Sequence, residues 1–250
     1  AAANNTVVFN TGAVGTVTSA TTPSLTITFS TKPTSPVVLT AVVTSNSVNS
    51  GAPTAVATVY PVVASSTTAV AANATTVTIN GLGFDSVATN NIVTLNNGAE
   101  GTVTSASATS LTVTFTTNPT EAGSLTAVVE SNSLPSGAAV EVANIVPVVT
   151  AETSNNISAS TNTLTINGIG FDTTAANNTV TFNNGAVGTV SSATATSLSI
   201  TFTTLPVTAG PLTAIVATNG MSSGSSVQVA TIIPVVTASS DNLAANATTV

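Results

Sequence analysis

From Ser110 to Thr116 apolar and polar side chains alternate strictly: Leu111, Val113 and Phe115 share one face, and Thr112, Thr114 and Thr116 share the other. A period of two marks a strand that buries one side against a core. Residues 76–80 (TVTIN, with Val77 and Ile79) and 125–129 (LTAVV) repeat it. No stretch carries a convincing helical period, and the abundant Thr, Val and Ile have stiff β-branched side chains that suit pleated sheet. Between apolar runs, Asn97-Gly98 and Asn184-Gly185 predict tight hairpin turns joining VTL or VTF to GTV.

The pattern also repeats at long range. Pro61, Pro147 and Pro234 each precede Val-Val, at spacings of 86 and 87 residues. Phe9, Leu95 and Phe182 open FNTGAVGTVTSA, LNNGAEGTVTSA and FNNGAVGTVSSA at the same spacings, and Phe29, Phe115 and Phe202 close LTITF, LTVTF and LSITF. Phe84 and Phe171 occupy a third column, within TINGLGFD and TINGIGFD. All 7 Phe residues therefore fall in three columns of a repeat, which predicts packing roles in one core per module rather than ligand contacts. The expected organisation is an incomplete module at 1–60 lacking its first strands, whole modules at 61–146 and 147–233, and the first strand or strands of a further module at 234–250. Pro61, Pro147 and Pro234 mark the boundaries with almost no spacer, so neighbouring modules should be closely coupled.

In this register Ala1 stands at the position of Val87 and Val250 at that of Val77. The chain thus reads as a window on a longer repetitive polypeptide. The alternative is that 234–250 lends a strand to the incomplete first module of the next chain, joining subunits head to tail. Neither end holds the counterpart of TINGLGFDS with its Phe, and that gap weighs for the window.

Composition narrows the class. Charged residues make up 4% of the chain, against about 25% in an ordinary soluble domain. Together with the alternation, this predicts an all-β protein of tandem β-sandwiches in a linear array, each with about seven short strands. A module of 86 residues buries a small core, roughly 60–65% of its unfolded surface. There is no Cys to staple it. A formal net charge of −7, with a single basic residue (Lys32), argues against nucleic acid and anionic membrane surfaces as partners. No run of about eighteen apolar residues is present to insert in a membrane.

At this point the motifs carry a resemblance. PVVTASSDNLAANATTV (234–250), ATTVTINGLGFD (74–85) and TNTLTINGIGFD (161–172), followed by NNIVTLNNG (90–98) and NNTVTFNNG (177–185), resemble the opening strands of IPT/TIG domains. The resemblance implies an immunoglobulin-like fold for both whole modules. The Thr- and Asn-rich, Cys-free tandem form also resembles repeat regions of very large bacterial cell-surface proteins, which implies an extracellular or cell-surface location. The family is an architecture shared by many functions, so it implies fold more firmly than activity.

The chemistry-bearing residues are few. Gly81 and Gly83, like Gly168 and Gly170, bracket one residue between a strand and a Phe, where a bulge or a positive φ would aim the Phe into the core. A phosphate-cradling loop would need a following helix and a basic residue, and neither is there. Gly98 and Gly185 belong to the expected turns. With no His, no Cys and one Lys, neither a Ser-His-Asp nor a Cys-His arrangement is available, and no catalytic residue or cofactor is expected. Glu100, Glu121, Glu130 and Glu141 have uncharged counterparts in the other repeats and read as solvated positions.

Asp85 and Asp172 do repeat, in GFDSVATNN and GFDTTAANN. They are weak candidates for Ca²⁺, which takes six to eight oxygens, and better candidates for turn formers that accept a backbone hydrogen bond two residues on. Lys–Asn isopeptide cross-links are excluded for 61–146 and 147–233, which hold no Lys. Asn4, Asn73, Asn156, Asn177 and Asn246 begin Asn-x-Ser/Thr triplets, which leaves glycans open as covalent partners.

Sheet edges normally carry charge or Pro against strand-to-strand association, and here charge is nearly missing. The expected function is a structural repeat of a self-assembling extracellular filament, sheath or surface fibre whose main partner is itself. The competing expectation is a spacer or binding module of an adhesin. A repeated sugar-stacking site lacks its aromatics, since the chain has no Trp and one Tyr, Tyr60.

Overall fold

The computed structural model describes residues 1–236, 238, 242–245 and 247–249. Residues 1–60 form β1 (Asn5–Phe9), β2 (Val14–Ala20), β3 (Leu25–Thr31), β4 (Val37–Ser45), β5 (Val48–Asn49) and β6 (Thr54–Val59). Residues 61–146 form β7 (Val62–Val63), β8 (Ala69–Ala71), β9 (Thr76–Leu82), β10 (Asn91–Leu95), β11 (Glu100–Ser107), β12 (Ser110–Thr117), β13 (Gly123–Ser131), β14 (Leu134–Pro135) and β15 (Val140–Val146). Residues 147–233 repeat them as β16 (Val148–Val149), β17 (Asn156–Ser158), β18 (Thr163–Ile169), β19 (Asn178–Phe182), β20 (Val187–Thr194), β21 (Ser197–Thr204), β22 (Gly210–Thr218), β23 (Met221–Ser222) and β24 (Val227–Ile233). No strand is assigned to the described residues beyond Ile233, and part of the expected opening strand there, with Asn246, lies outside the described residues.

In 61–146 one sheet runs β11-β12-β9-β7 and the other β10-β13-β15-β8, with β14 hydrogen-bonded to β13. The next module repeats both orders, and every strand pairing stays within its own repeat. The opening strand is split between the two sheets. Val62 and Val63 pair antiparallel with β9, after which the chain crosses over and lays Ala69–Ala71 parallel to β15. That split and the two-residue β14 raise the count to nine strands where the periodicity suggests about seven.

The alternation explains the core. Val77 and Ile79 of β9, Leu111 and Val113 of β12, and Leu125, Ala127 and Val129 of β13 point into one cluster closed by Phe84, which is 1% exposed. The next module builds the same cluster from Leu164, Ile166, Leu198, Ile200 and Leu212 around Phe171. Phe202 is buried, whereas Phe9, Phe29, Phe115 and Phe182 are half-buried. The rings pair as Phe9–Phe29 and Phe182–Phe202, with centroids 5.3 and 5.4 Å apart. Before Pro61 the buried hydrophobic residues are only Ala13, Leu39 and Ala41.

One expectation is corrected. Asn97-Gly98 and Asn184-Gly185 do not close hairpins, because β10 and β19 pair with β13 and β22 while β11 and β20 pair with β12 and β21. Asn97 and Gly98 do adopt positive φ (56° and 65°), so the turn is as tight as the dipeptide demands. It carries the chain from one sheet to the other. The preceding Asn acts as a side-chain extension of the ladder: Thr126 N–H donates to Asn96 Oδ1 at 2.7 Å and Asn96 Nδ2 donates to Ser124 O at 3.2 Å. Asn10 and Asn183 make the matching pairs of bonds in the other repeats.

Candidate functional site

The two Gly-x-Gly-Phe-Asp stretches lie beside the joints between repeats. β15 ends at Val146 and β16 begins at Val148, leaving Pro147 alone between them. The loop after β18 folds back on this joint. Gly168 has no room for a side chain, since a Cβ there would overlap Val148 O and the ring of Phe171. Gly170, at φ +82°, would put a Cβ 2.6 Å from Ala72 Cβ of the preceding module. Its carbonyl accepts from Ala122 N–H at 2.8 Å, and Asn219 Nδ2 donates to Ala122 O at 2.9 Å. Two hydrogen bonds and one close backbone approach therefore tie the two whole modules together.

The preceding joint is built differently. The counterpart of Ala122 there is Pro36, which has no N–H to donate. Asn132, the counterpart of Asn219, donates instead to Asp85 Oδ2 at 2.8 Å. Gly81 repeats the role of Gly168, whereas Gly83 shares only the positive φ of Gly170, since a Cβ there would come no closer than 3.5 Å to the preceding repeat. A Cβ on Gly81 would overlap Val62 O and Phe84, and Gly83 has φ +73°.

Asp85 and Asp172 close the same loops. Asp172 Oδ1 accepts from Thr174 N–H at 2.7 Å and Oδ2 from Asn177 Nδ2 at 2.8 Å. Asp85 Oδ1 accepts from Val87 N–H at 2.7 Å. This is an Asx turn, with both carboxylate oxygens engaged by N–H donors. Among the described residues no three His, Cys, Asp or Glu side chains gather as metal ligands.

Behind each Asp sits a buried amide that sequence reasoning missed. Asn178, 4% exposed, donates from Nδ2 to Asp172 O (2.8 Å) and Thr174 O (3.1 Å) and accepts from Thr218 Oγ1 (2.8 Å). Asn91 repeats this with Asp85 O and Val87 O, and there Ser131 Oγ accepts from Asp85 N–H. The repeated Asn-Asn pairs at 90–91 and 177–178 were the available signal.

The hydrogen bonds hold both carboxyls below their ordinary pKa of 3.8. The Val87 N–H is the main cause for Asp85 and the Asn177 amide for Asp172. A lowered folded pKa contributes stability that is complete above the ordinary value and is lost as pH falls through the folded one. Thermal stability should therefore stay flat between about pH 9 and about pH 4 and drop below that. In the Asp85→Asn, Asp172→Asn double variant, thermal melts across pH should show most of the acid drop removed. An unchanged drop would exclude these carboxyls as its source.

The remaining sites are surface features. Asn4, Asn73, Asn156 and Asn177 are exposed, and Tyr60 is 53% exposed at the end of the first repeat. No described helix is long and apolar enough to cross a membrane.

Two facing sheets with this strand order and a split opening strand define an immunoglobulin-like sandwich. The IPT/TIG domain family model matches residues 147–231, one whole repeat. Internal repetition carries the same motifs into 61–146, and the chain is a tandem array of immunoglobulin-like β-sandwiches, of which 147–231 matches the IPT/TIG model. Among solved structures, domains 5–6 of the S-layer protein SbsC are similar at 20% identity, covering 70% of this chain and 100% of that one, with a TM-score of 0.26. The titin I-band fragment I67–I69 is similar at 10% identity over 94% of this chain and 89% of that one, TM-score 0.31. Tandem Ig repeats of Dlar align at 10% identity over 70% and 95%, TM-score 0.20. No curated protein matches the chain.

Proposed function

We propose that the chain is a structural repeat of a self-assembling extracellular filament, sheath or surface fibre, without catalytic activity. The observation that carries this reading is the state of the sheet edges. In the two whole modules the edge strands are β7, β8, β10 and β11, then β16, β17, β19 and β20, and among them only Glu100 is charged. Unpaired backbone N–H and C=O groups on uncharged edges are a template for association, and little like-charge repulsion opposes it. The bonded joint at Pro147 adds the second requirement of a fibre, repeats that hold a fixed relation to one another.

Ion pairs contribute little to such contacts, so screening should not dissolve them. Negative-stain electron microscopy of the purified chain should show filaments or sheets whose abundance is unchanged between low salt and about 1 M salt. Monodisperse particles at all concentrations, or dissolution in high salt, would overturn the reading. Saturable capture of the same chain on a glycan array would instead favour the adhesin alternative.

A further inference from the structure

The elements that meet across a joint are present at both joints: the turn leading into β4 or β13 from the preceding repeat, and the loop after β9 or β18, with its positive-φ glycine, from the following one. At the Pro147 joint they are bonded. Ala122, 1% exposed, gives its N–H to Gly170 O, and its carbonyl takes the Asn219 amide. At the Pro61 joint Pro36 stands in the same place and is buried in the same way, but its ring nitrogen has no proton to give Gly83. Among the described residues no backbone hydrogen bond crosses that joint. The spacing differs accordingly. The Ala122 nitrogen lies 3.8 Å from the Cβ position of Gly170, whereas only Pro61 and Tyr60, the chain connection itself, lie within 4 Å of that of Gly83.

The amide released from the joint has a second use. Asn132 donates to Asp85 Oδ2 within its own repeat, while the matching oxygen of Asp172 is taken by Asn177 and leaves Asn219 to the joint. Each arrangement gives the turn amide a partner, so the Pro36 form is a second setting of one device rather than a damaged copy. Ala209 holds the place again in 147–233, which makes proline the departure among these repeats.

We propose that the residue at 36 or 122 sets the stiffness of the joint that follows it: alanine latches the two repeats together, and proline leaves them as a hinge. Relative motion is the ordinary state of neighbouring domains that share a small interface, and the two bonds at Ala122 are what suppress it. Pro61 keeps the swing of the hinge limited, since its ring fixes φ and holds Tyr60 to extended backbone. Joint stiffness belongs to the single chain, so its failure and that of the filament reading are separate outcomes.

The test uses the absence of Cys, which allows spin labels on introduced cysteines alone. Thr6, Ile92 and Thr179 share one register position and are exposed. In the full chain, at concentrations where sedimentation shows a monomer, pulsed dipolar spectroscopy of Thr6→Cys with Ile92→Cys should give a broad distance distribution across the Pro61 joint. Ile92→Cys with Thr179→Cys should give a narrow one across the Pro147 joint. Ala122→Pro should broaden the second, Ala122→Ser, which keeps the N–H, should leave it narrow, and Pro36→Ala should narrow the first. Hydrogen exchange of the Ala122 amide should quicken about fivefold in Asn219→Gly, the equivalent of one net hydrogen bond, because glycine suits the φ of 51° there and removes only the side chain. Should Ala122→Pro fail to fold, the two widths and the Pro36→Ala variant decide. Equal widths at the two joints, or a narrow second distribution in folded Ala122→Pro, overturns the proposal. So does a first distribution that Pro36→Ala leaves broad, which would assign the breadth to the repeat itself, or an Ala122 exchange rate that Asn219→Gly does not change.

Discussion

Replacing Phe171 by alanine is expected to destabilise the repeat 147–233 by about 3–5 kcal/mol, the range for deleting a large buried aromatic. The ring is 1% exposed and closes the cluster formed by Ile166, Leu198, Ile200 and Leu212. Few neighbours can relax into the space, because Gly168 lies against the ring edge and is itself fixed by pairing with Val149. For a domain of this size each kcal/mol lowers the midpoint by roughly 4–8 °C. Calorimetry of the variant should thus show one transition moved down by more than roughly 10 °C, with a second, belonging to 61–146, moved far less. A shift below a few degrees would mean that Phe171 is not central to the core.

The second large effect is expected at Gly168. Its φ lies outside the positive range, so alanine there meets no backbone penalty, and the whole cost is steric. The obstacles are Val148 O, which cannot retreat without breaking the β16–β18 pairing, and the Phe171 ring, which has no alternative space in a close-packed core. Overpacking of this kind costs about 1–3 kcal/mol, and the loss of a ladder hydrogen bond adds about 1 kcal/mol. Gly224→Ala is the matching control. Gly224 has φ +83° with nothing within 4 Å of its Cβ position, so only the left-handed backbone penalty of about 1–2 kcal/mol applies. Denaturant unfolding should rank Gly168→Ala as the more damaging of the two, and the reverse order would remove the steric account of the conserved spacing between strand and Phe within the repeats.

The repetition and the alternating strands were legible because they depend on local pattern: apolar side chains two residues apart, recurring at fixed spacing. What stayed hidden depends on partners far away in the chain. Asn97-Gly98 encodes a tight reversal, but whether the next strand joins the same sheet is decided by β12, which outcompetes β10 for β11. The splitting of the opening strand is invisible for the same reason, since Ala69–Ala71 has too little pattern of its own and is positioned by β15 across the sandwich. The buried amides Asn91 and Asn178 were lost in a chain rich in exposed Asn. Their burial follows from the carbonyls left open at the Asp loop, which a side-chain amide satisfies with two donors.

The parallel pairs β8–β15 and β17–β24 have a mechanical consequence. In each of the two whole repeats the strand near the entry of the chain lies beside the strand at its exit and runs in the same direction. A pull on the two ends of the repeat therefore slides these strands along each other. All the backbone bonds between them are loaded at once, instead of opening one after another from an end. A fibre built from such units would yield only when the whole ladder gives way, and then abruptly, one repeat at a time.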